Sequence, residues 1–130
     1  MFANGFDIDG VIHVGGGRVG IRPGPMDVII TGRSFEEKEE TEKFLRNNGI
    51  NNKVFYNDIP YDKKTRETSG IHKAKTLNML LDKGIKIEYF YEDDFIQKEM
   101  ILNYGPKDLK IIFVDNPWMG KENARHPVED

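Results

Sequence analysis

The chain has 130 residues, of which 38% are hydrophobic and 32% are charged, with a formal net charge of -3 at pH 7; this composition predicts one globular domain over residues 1–130. The acidic balance excludes a general attraction to nucleic acids or anionic membranes, and the lack of cysteine excludes disulfides, thiol catalysis and cysteine-bound metals. No apolar run approaches the roughly 20 residues of a membrane span, and residues 1–7 do not resemble a signal peptide, so we expect a cytoplasmic protein.

Short apolar runs that are typical of strands recur along the chain. The predicted strands are residues 2–8, 26–31, 53–56, 85–91 and 109–114. The run at 26–31, "MDVIIT", is almost continuously apolar, as expected for a strand covered on both faces. Two β-branched runs around three glycines, "VIHVGGGRVGI" at 11–21, predict a β-hairpin between the first two of these strands.

Helix signals fall between the strands. The first helix follows Ser34, which forms a capping-box pattern with Glu37, and ends before Gly49. The second, residues 72–83, carries an apolar stripe at helical spacing. The third, residues 93–104, has acidic residues at its N-terminal end, where the helix dipole favours them.

The alternation of strands and helices predicts an α/β fold with a parallel sheet between helical layers. Residues 57–70 are polar and predict a loop, and the polar residues 115–130 predict an irregular tail. Ligands of such sheets bind beyond the carboxyl ends of the strands. The residues that directly follow each strand are therefore the candidates for a functional site.

Three polar clusters fall at the ends of three of the predicted strands. They are Asp7 and Asp9 after the first, Thr31, Gly32 and Arg33 after the second, and Glu92, Asp93 and Asp94 after the fourth. Two carboxylates about 4 Å apart repel by roughly 4 kcal/mol at an effective dielectric constant of about 20, so a divalent cation would stabilise such a cluster. All the candidate ligands are oxygens, which favours Mg²⁺ over zinc.

Phosphate-binding groups are expected at the same edge. Thr31 offers a hydroxyl and backbone N–H groups at a strand end. The helix after it begins near Ser34, so its positive end would face the site. Lys73 lies at the start of the second predicted helix, from which it would reach this edge. Donors of these three kinds around a magnesium ion form a phosphoryl-binding site.

Four segments, "FDIDGVI", "IITGR", "HKAKTL" and "YFYEDD", occur over residues 6–94 in the order and approximate spacing of the four motifs of the haloacid dehalogenase superfamily. The chain resembles a small, phosphatase-like member without a cap domain, because both gaps between the first and third motifs are short. The resemblance implies a three-layer Rossmann-like sheet of strand order 3-2-1-4-5, with the hairpin at 11–21 as a flap over the site.

The resemblance also implies catalytic and metal-binding roles. Asp7 would be the nucleophile that forms an aspartyl-phosphate, and Asp9 would protonate the leaving oxygen and then deprotonate the attacking water. Asp93 would bind Mg²⁺ together with the Asp7 carboxylate and the Asp9 backbone carbonyl. Glu92 and Asp94 would be accessory acids. We expect the two aspartates of the first motif at the floor of an open cleft, partly solvated.

The resemblance assigns phosphate binding to residues of the second and third motifs. Thr31 and the Gly32 backbone would bind the phosphoryl oxygens, and a lysine would neutralise the developing charge. Lys73 and Lys75 compete for that position; Lys73 is favoured because it stands four residues before a leucine, as in the family. Arg33 would either contact the substrate or lie exposed on the surface.

The motifs favour a magnesium-dependent phosphomonoester hydrolase. The second aspartate favours phosphoester chemistry over carbon–halogen cleavage, where no leaving alkoxide needs a proton. A nucleotide or the phosphorylated end of a nucleic acid is the favoured substrate, because the site is open and Lys63, Lys64 and Arg66 form a basic loop. The alternatives are a non-catalytic binding module and a phosphotransferase that uses the same residues. The oligomeric state is left open.

One element of the family pattern is missing. Members usually place a helix between the flap and the second strand, and residues 22–26, "RPGPM", carry no helix signal. One face of the sheet would then be thinly covered. We expect a partner surface, or the C-terminal tail with Trp118, to cover it.

Overall fold

The computed structural model describes residues 2–115, which form one five-stranded parallel sheet with helices on both faces. The strands are β1 (Phe2–Phe6), β2 (Val28–Ser34), β3 (Val54–Asn57), β4 (Lys86–Glu92) and β5 (Lys110–Phe113). The helices are α1 (Lys38–Asn47), preceded by a 3-10 turn at Phe35–Glu37, α2 (Arg66–Asp82) and α3 (Phe95–Tyr104). The strand order is β3-β2-β1-β4-β5, which confirms the predicted order and the α/β class. Within this range, no helix has the length and apolar character needed to cross a membrane.

Helices α2 and α3 cover one face of the sheet. Leu77 and Leu80 of α2 and Ile101 of α3 pack against Ile30 of β2 and Phe90 of β4, and all five side chains are buried. Burial of each such side chain contributes roughly 1.5–3 kcal/mol. This packing holds α2 and the end of β4 in fixed relative positions, and both elements contribute to the site.

Helix α1 and the segment after β1 cover the other face. Val11 and Ile12 are fully buried and pack with Leu45 of α1 and Ile29 of β2. The segment at 11–21 therefore covers part of this face, which the sequence predicted to be thinly covered. The tail residue expected to cover this face, Trp118, lies outside the described residues.

The segment at 11–21 reverses direction as the predicted hairpin does, but with isolated β-bridges in place of regular strands. The Gly20 N–H donates to the Ile12 carbonyl at 2.8 Å, and the Ile21 N–H donates to the Val11 carbonyl at 2.9 Å. Gly15, Gly16 and Gly17 at its tip all have positive φ, a conformation that glycine adopts without steric cost. Its role as a flap stays a prediction.

Helix α2 begins six residues before the predicted start, so the predicted loop at 57–70 is wrong in its last part. The Thr65 hydroxyl accepts the Thr68 N–H at 3.1 Å, and the Thr68 hydroxyl accepts the Thr65 N–H at 2.8 Å, which caps the helix. Gly70 lies inside α2 where α3 packs closely: a β-carbon there would lie 2.7 Å from Cβ of Met100. Gly70 therefore permits a close helix–helix contact inside α2, whereas the sequence pattern placed it at the end of the predicted loop.

Candidate active site

Residues from the ends of β1, β2 and β4 meet at the carboxyl edge of the sheet. Strand β1 ends at Phe6, two residues before the predicted end, and Asp7 follows it directly, with its N–H donated to the Tyr91 carbonyl at 3.1 Å. Asp7 is fully buried and Asp9 is 6% exposed. The expectation of a partly solvated pair is therefore wrong, because the surrounding side chains close over both aspartates.

Lys73 is the lysine at the site. Its Nζ lies 3.0 Å from Asp7 Oδ1 and donates to Glu92 Oε1 at 2.7 Å and to Gln97 Oε1. The side chain is fully buried, whereas Lys75 is exposed. Because α2 starts early, Lys73 lies about two turns into the helix, and the prediction that it starts a helix is wrong. Sequence reasoning missed Gln97; the signal is a polar residue one turn after the acidic segment.

Three buried acids form a cluster that could hold a metal ion. One carboxylate oxygen each from Asp7, Glu92 and Asp93 lies within 4.8 Å of the others. Burial, and then the charge of Glu92, raise the pKa of the Asp7 carboxyl well above its usual value, although Lys73 opposes this. Neither Asp7 oxygen accepts a hydrogen bond from the described residues. A divalent cation would favour the ionised form of this carboxyl.

Glu92 orients its neighbours within this cluster. One of its oxygens accepts the Lys73 ammonium, and the other accepts the backbone N–H groups of Asp93 and Asp94, both at 3.1 Å. The Asp93 carboxylate lies over Gly10, where a β-carbon would be 1.9 Å from Asp93 Oδ2. The predicted ligands Asp7 and Asp93 are thus together, and Glu92 joins them while it also holds the lysine.

Asp94 is not one of the three clustered acids. Its carboxylate accepts the Gln97 N–H at 3.3 Å, which caps α3, and it binds the Arg66 guanidinium, with Nε at 3.1 and 3.2 Å from the two oxygens. Burial opposes ionisation of Asp94, but the hydrogen bonds and charge of Arg66 prevail and hold its pKa below the usual value. The pair joins the starts of α2 and α3, which is a structural task.

The predicted basic loop does not present three free cations. Arg66 is bound to Asp94, and Lys64 is fully buried, with its Nζ 2.7 Å from Glu37 Oε2 and 3.1 Å from the Gly32 carbonyl. Lys63 is exposed. Glu37 also accepts the Ser34 N–H at 2.8 Å, so the predicted capping-box contact forms. The Ser34 N–H is therefore occupied by Glu37, and the orientation of the positive helix end toward the site stays a prediction.

Arg33 binds Asp9. Its Nη2 donates to Asp9 Oδ1 at 2.6 Å and its Nε donates to Oδ2 at 2.9 Å, and the two side chains are 11% and 7% exposed. Its Nη1 donates to the Thr41 hydroxyl of α1 at 3.0 Å. The backbone N–H of Arg33 donates to the hydroxyl of Thr31, which is fully buried. The alternative that Arg33 lies exposed on the surface is therefore wrong, and its contact with a substrate stays a prediction.

A comparison of the sequence with protein-family models finds no match, and none is found among curated proteins or solved structures.

Proposed function

We propose that this protein is a magnesium-dependent phosphomonoester hydrolase that acts through an aspartyl-phosphate on Asp7. One observation carries the proposal: the fully buried Asp7 lies 3.0 Å from the fully buried Lys73 and within the Asp7, Glu92 and Asp93 cluster. A buried acidic cluster beside a buried lysine costs stability, and such groups concentrate at functional sites. The four ordered motifs of the haloacid dehalogenase superfamily support the same assignment.

The residues fit a magnesium ion. Asp7 and Asp93 offer hard oxygen ligands in one buried cluster, which Mg²⁺ prefers. The Asp7 carboxylate is fully buried and accepts no hydrogen bond from the described residues, so its oxygens are available to a cation. In the proposed role, Asp7, Asp93 and the Asp9 carbonyl hold the ion, which supplies Lewis-acid stabilisation of phosphoryl charge.

In the proposed first half-reaction, a carboxylate oxygen of Asp7 attacks phosphorus. The ester P–O bond breaks, its electron pair leaves with the departing oxygen, and Asp9 supplies a proton to that oxygen. Thr31 and the Gly32 backbone bind the phosphoryl oxygens. Lys73 holds the nucleophile in position and neutralises charge, with Glu92 and Gln97 fixing its ammonium. Water then hydrolyses the aspartyl-phosphate with Asp9 as the proton acceptor.

The substrate within this class has less support from the basic loop than the sequence indicated. Lys64 and Arg66 are held in ion pairs with Glu37 and Asp94, which leaves Lys63 exposed in that segment. An open cavity of about 570 Å³ lies beside Arg33, and its lining is completed by Glu36, Glu37, Glu40 and Tyr61. A nucleotide or a nucleic-acid terminal phosphate stays our first substrate to test, with neutral phosphomonoesters beside it.

The test is hydrolysis of 4-nitrophenyl phosphate with and without Mg²⁺ by the wild type, Asp7→Asn and an exposed-site control, Asp62→Asn. We expect magnesium-dependent turnover in the wild type and the control and a loss of at least about 10³-fold in Asp7→Asn. No turnover on this compound or on a panel of metabolites and oligonucleotides would overturn the enzyme proposal in favour of a binding module. Phosphate transfer to an added alcohol in preference to water would indicate a phosphotransferase.

A further inference from the structure

We propose that Arg33 is a positioning residue that holds the Asp9 carboxylate as the proton acceptor for hydrolysis of the aspartyl-phosphate. The inference rests on the proposed function, which assigns two tasks to Asp9. The guanidinium contacts both carboxylate oxygens of Asp9, at 2.6 and 2.9 Å. A bidentate arginine fixes both the position and the plane of a carboxylate.

Arg33 is itself anchored at a second point, which makes the contact rigid. Its Nη1 donates to the Thr41 hydroxyl at 3.0 Å, and that hydroxyl donates to the Glu37 carbonyl at 2.7 Å. Thr41 is fully buried in α1. The chain of contacts therefore runs from α1 through Arg33 to the residue two positions after Asp7. A guanidinium held in this way is engaged with protein groups on both of its edges.

The second half-reaction depends on the position of the Asp9 carboxylate. In that step a water oxygen attacks phosphorus, the bond from phosphorus to the Asp7 oxygen breaks, and its electron pair returns to the Asp7 carboxylate. One water proton passes to Asp9, and inorganic phosphate is the product. This step needs a carboxylate held in a fixed place, and the two-point contact with Arg33 fixes the position and the plane of the Asp9 carboxylate.

The half-reactions can be measured separately with 4-nitrophenyl phosphate. Its leaving group departs without a proton, so the rate of aspartyl-phosphate formation depends on Asp7 and does not need a proton from Asp9. The rate of aspartyl-phosphate hydrolysis depends on Asp9, which accepts the proton of the attacking water. We would compare Arg33→Met, Arg33→Lys, Thr41→Val and, as a matched control, Arg46→Met, an exposed arginine of the same helix as Thr41. The readouts are the burst of 4-nitrophenol, the steady-state rate and the fraction of alkali-labile phosphoenzyme. Far-ultraviolet circular dichroism and thermal unfolding establish that each variant folds.

For Arg33→Met we expect a burst of about one equivalent per site, a steady-state rate lower by about 10²-fold, and accumulated phosphoenzyme. Arg33→Lys should behave similarly, because an ammonium keeps the charge but lacks the two-pronged geometry. Thr41→Val should shift the readouts in the same direction by a smaller factor, and it carries the test if both Arg33 variants fail to fold. Arg46→Met should match the wild type.

Three results would overturn the inference while the wild type stays active. They are a raised KM with unchanged kcat, an equal loss in the burst and the steady state, and full activity in Arg33→Lys. The first two would place Arg33 on the substrate, and the third would make its charge sufficient. A wild type that forms no phosphoenzyme and shows no magnesium-dependent turnover would instead overturn the proposed function, and this inference would fall with it.

Discussion

Gly10 and Asp93 are 83 positions apart in the chain and touch at the site. A β-carbon on Gly10 would lie 1.9 Å from Asp93 Oδ2, and the φ of Gly10 is +85°. Both the space and the backbone conformation therefore require glycine. The contact explains why a glycine directly follows the two aspartates: it admits the carboxylate that β4 brings to the cluster.

We expect Gly10→Ala to lower the free energy of unfolding by about 2–4 kcal/mol, because the left-handed conformation costs about 1 kcal/mol and the overlap must displace Asp93. Gly16→Ala is the matched control, since Gly16 also has positive φ, +59°, but a β-carbon there meets nothing within 4 Å. Urea unfolding of both variants measures the difference. An equal cost in the two variants would show that the contact with Asp93 contributes nothing.

Lys73→Met should destabilise the metal-free protein by about 3–5 kcal/mol, because it leaves Asp7 and Glu92 buried without their shared cation. Lys75→Met, two residues along the same helix and exposed, should change stability by less than about 0.5 kcal/mol. Chemical denaturation of both variants in EDTA checks this. Similar effects from the two lysines would contradict the assignment of the site lysine.

Asp7→Asn should stabilise the metal-free protein at neutral pH by about 1–2 kcal/mol. The pKa of Asp7 is raised by burial and by Glu92, so the folded state binds its proton more tightly than the unfolded state does. Stability is then lost as the pH rises above the unfolded value, and asparagine removes this loss. The gain should shrink near pH 4, and Mg²⁺ should raise the melting temperature of the wild type but not of the variant. A stability gain that is independent of pH would contradict this account.

Lys64→Met should cost about 3 kcal/mol, because Glu37 would be left 7% exposed without the ammonium that lies 2.7 Å away. The neighbouring exposed Lys63 gives the control, and Lys63→Met should be close to neutral. The measurement is urea unfolding at pH 7. A double variant, Lys64→Met with Glu37→Gln, should recover part of the loss, and no recovery would argue against the ion pair as the cause.

His72 should make stability fall on acidification between about pH 6.5 and pH 4. Burial lowers its pKa from 6.5 to about 4, with a smaller opposing contribution from its contact with the Phe55 carbonyl at 3.4 Å. In this window the unfolded chain binds a proton that the folded chain does not, so stability rises with pH by at most about 3 kcal/mol. His72→Asn should flatten this part of the profile in urea unfolding at pH 4.5 and pH 7. A profile that keeps its slope would assign the dependence to other groups.

Much of the fold was predictable because its signals are local. Apolar runs marked all five strands to within a few residues, and the alternation of elements was enough for the α/β class and for the parallel sheet. The start of α2 was not predictable in this way. The chain at Ser69 and Gly70 resembles a loop, and only the close approach of α3 shows why a glycine lies inside the helix.

The composition of the site could also be predicted in part. Residues at the ends of parallel strands share one edge of the sheet, so the grouping of Asp7, Glu92 and Asp93 could be predicted from two apolar runs and the α/β topology. The sequence did not predict which charged side chains form ion pairs with one another. Arg33 and Asp9 are 24 positions apart, Lys64 and Glu37 are 27 apart, and Arg66 and Asp94 are 28 apart.

The sequence by itself determined the order of the elements and the kinds of side chain at the carboxyl edge, because hydrophobic periodicity and turn residues act over a few positions. Only the tertiary structure decided that Lys73 is the buried lysine, that Glu92 and Gln97 hold it, and that two cations of the basic loop are taken up in ion pairs. Those choices depend on distances between elements far apart in the chain. They are set by the packing of α1, α2 and α3 on the sheet, which no local pattern records.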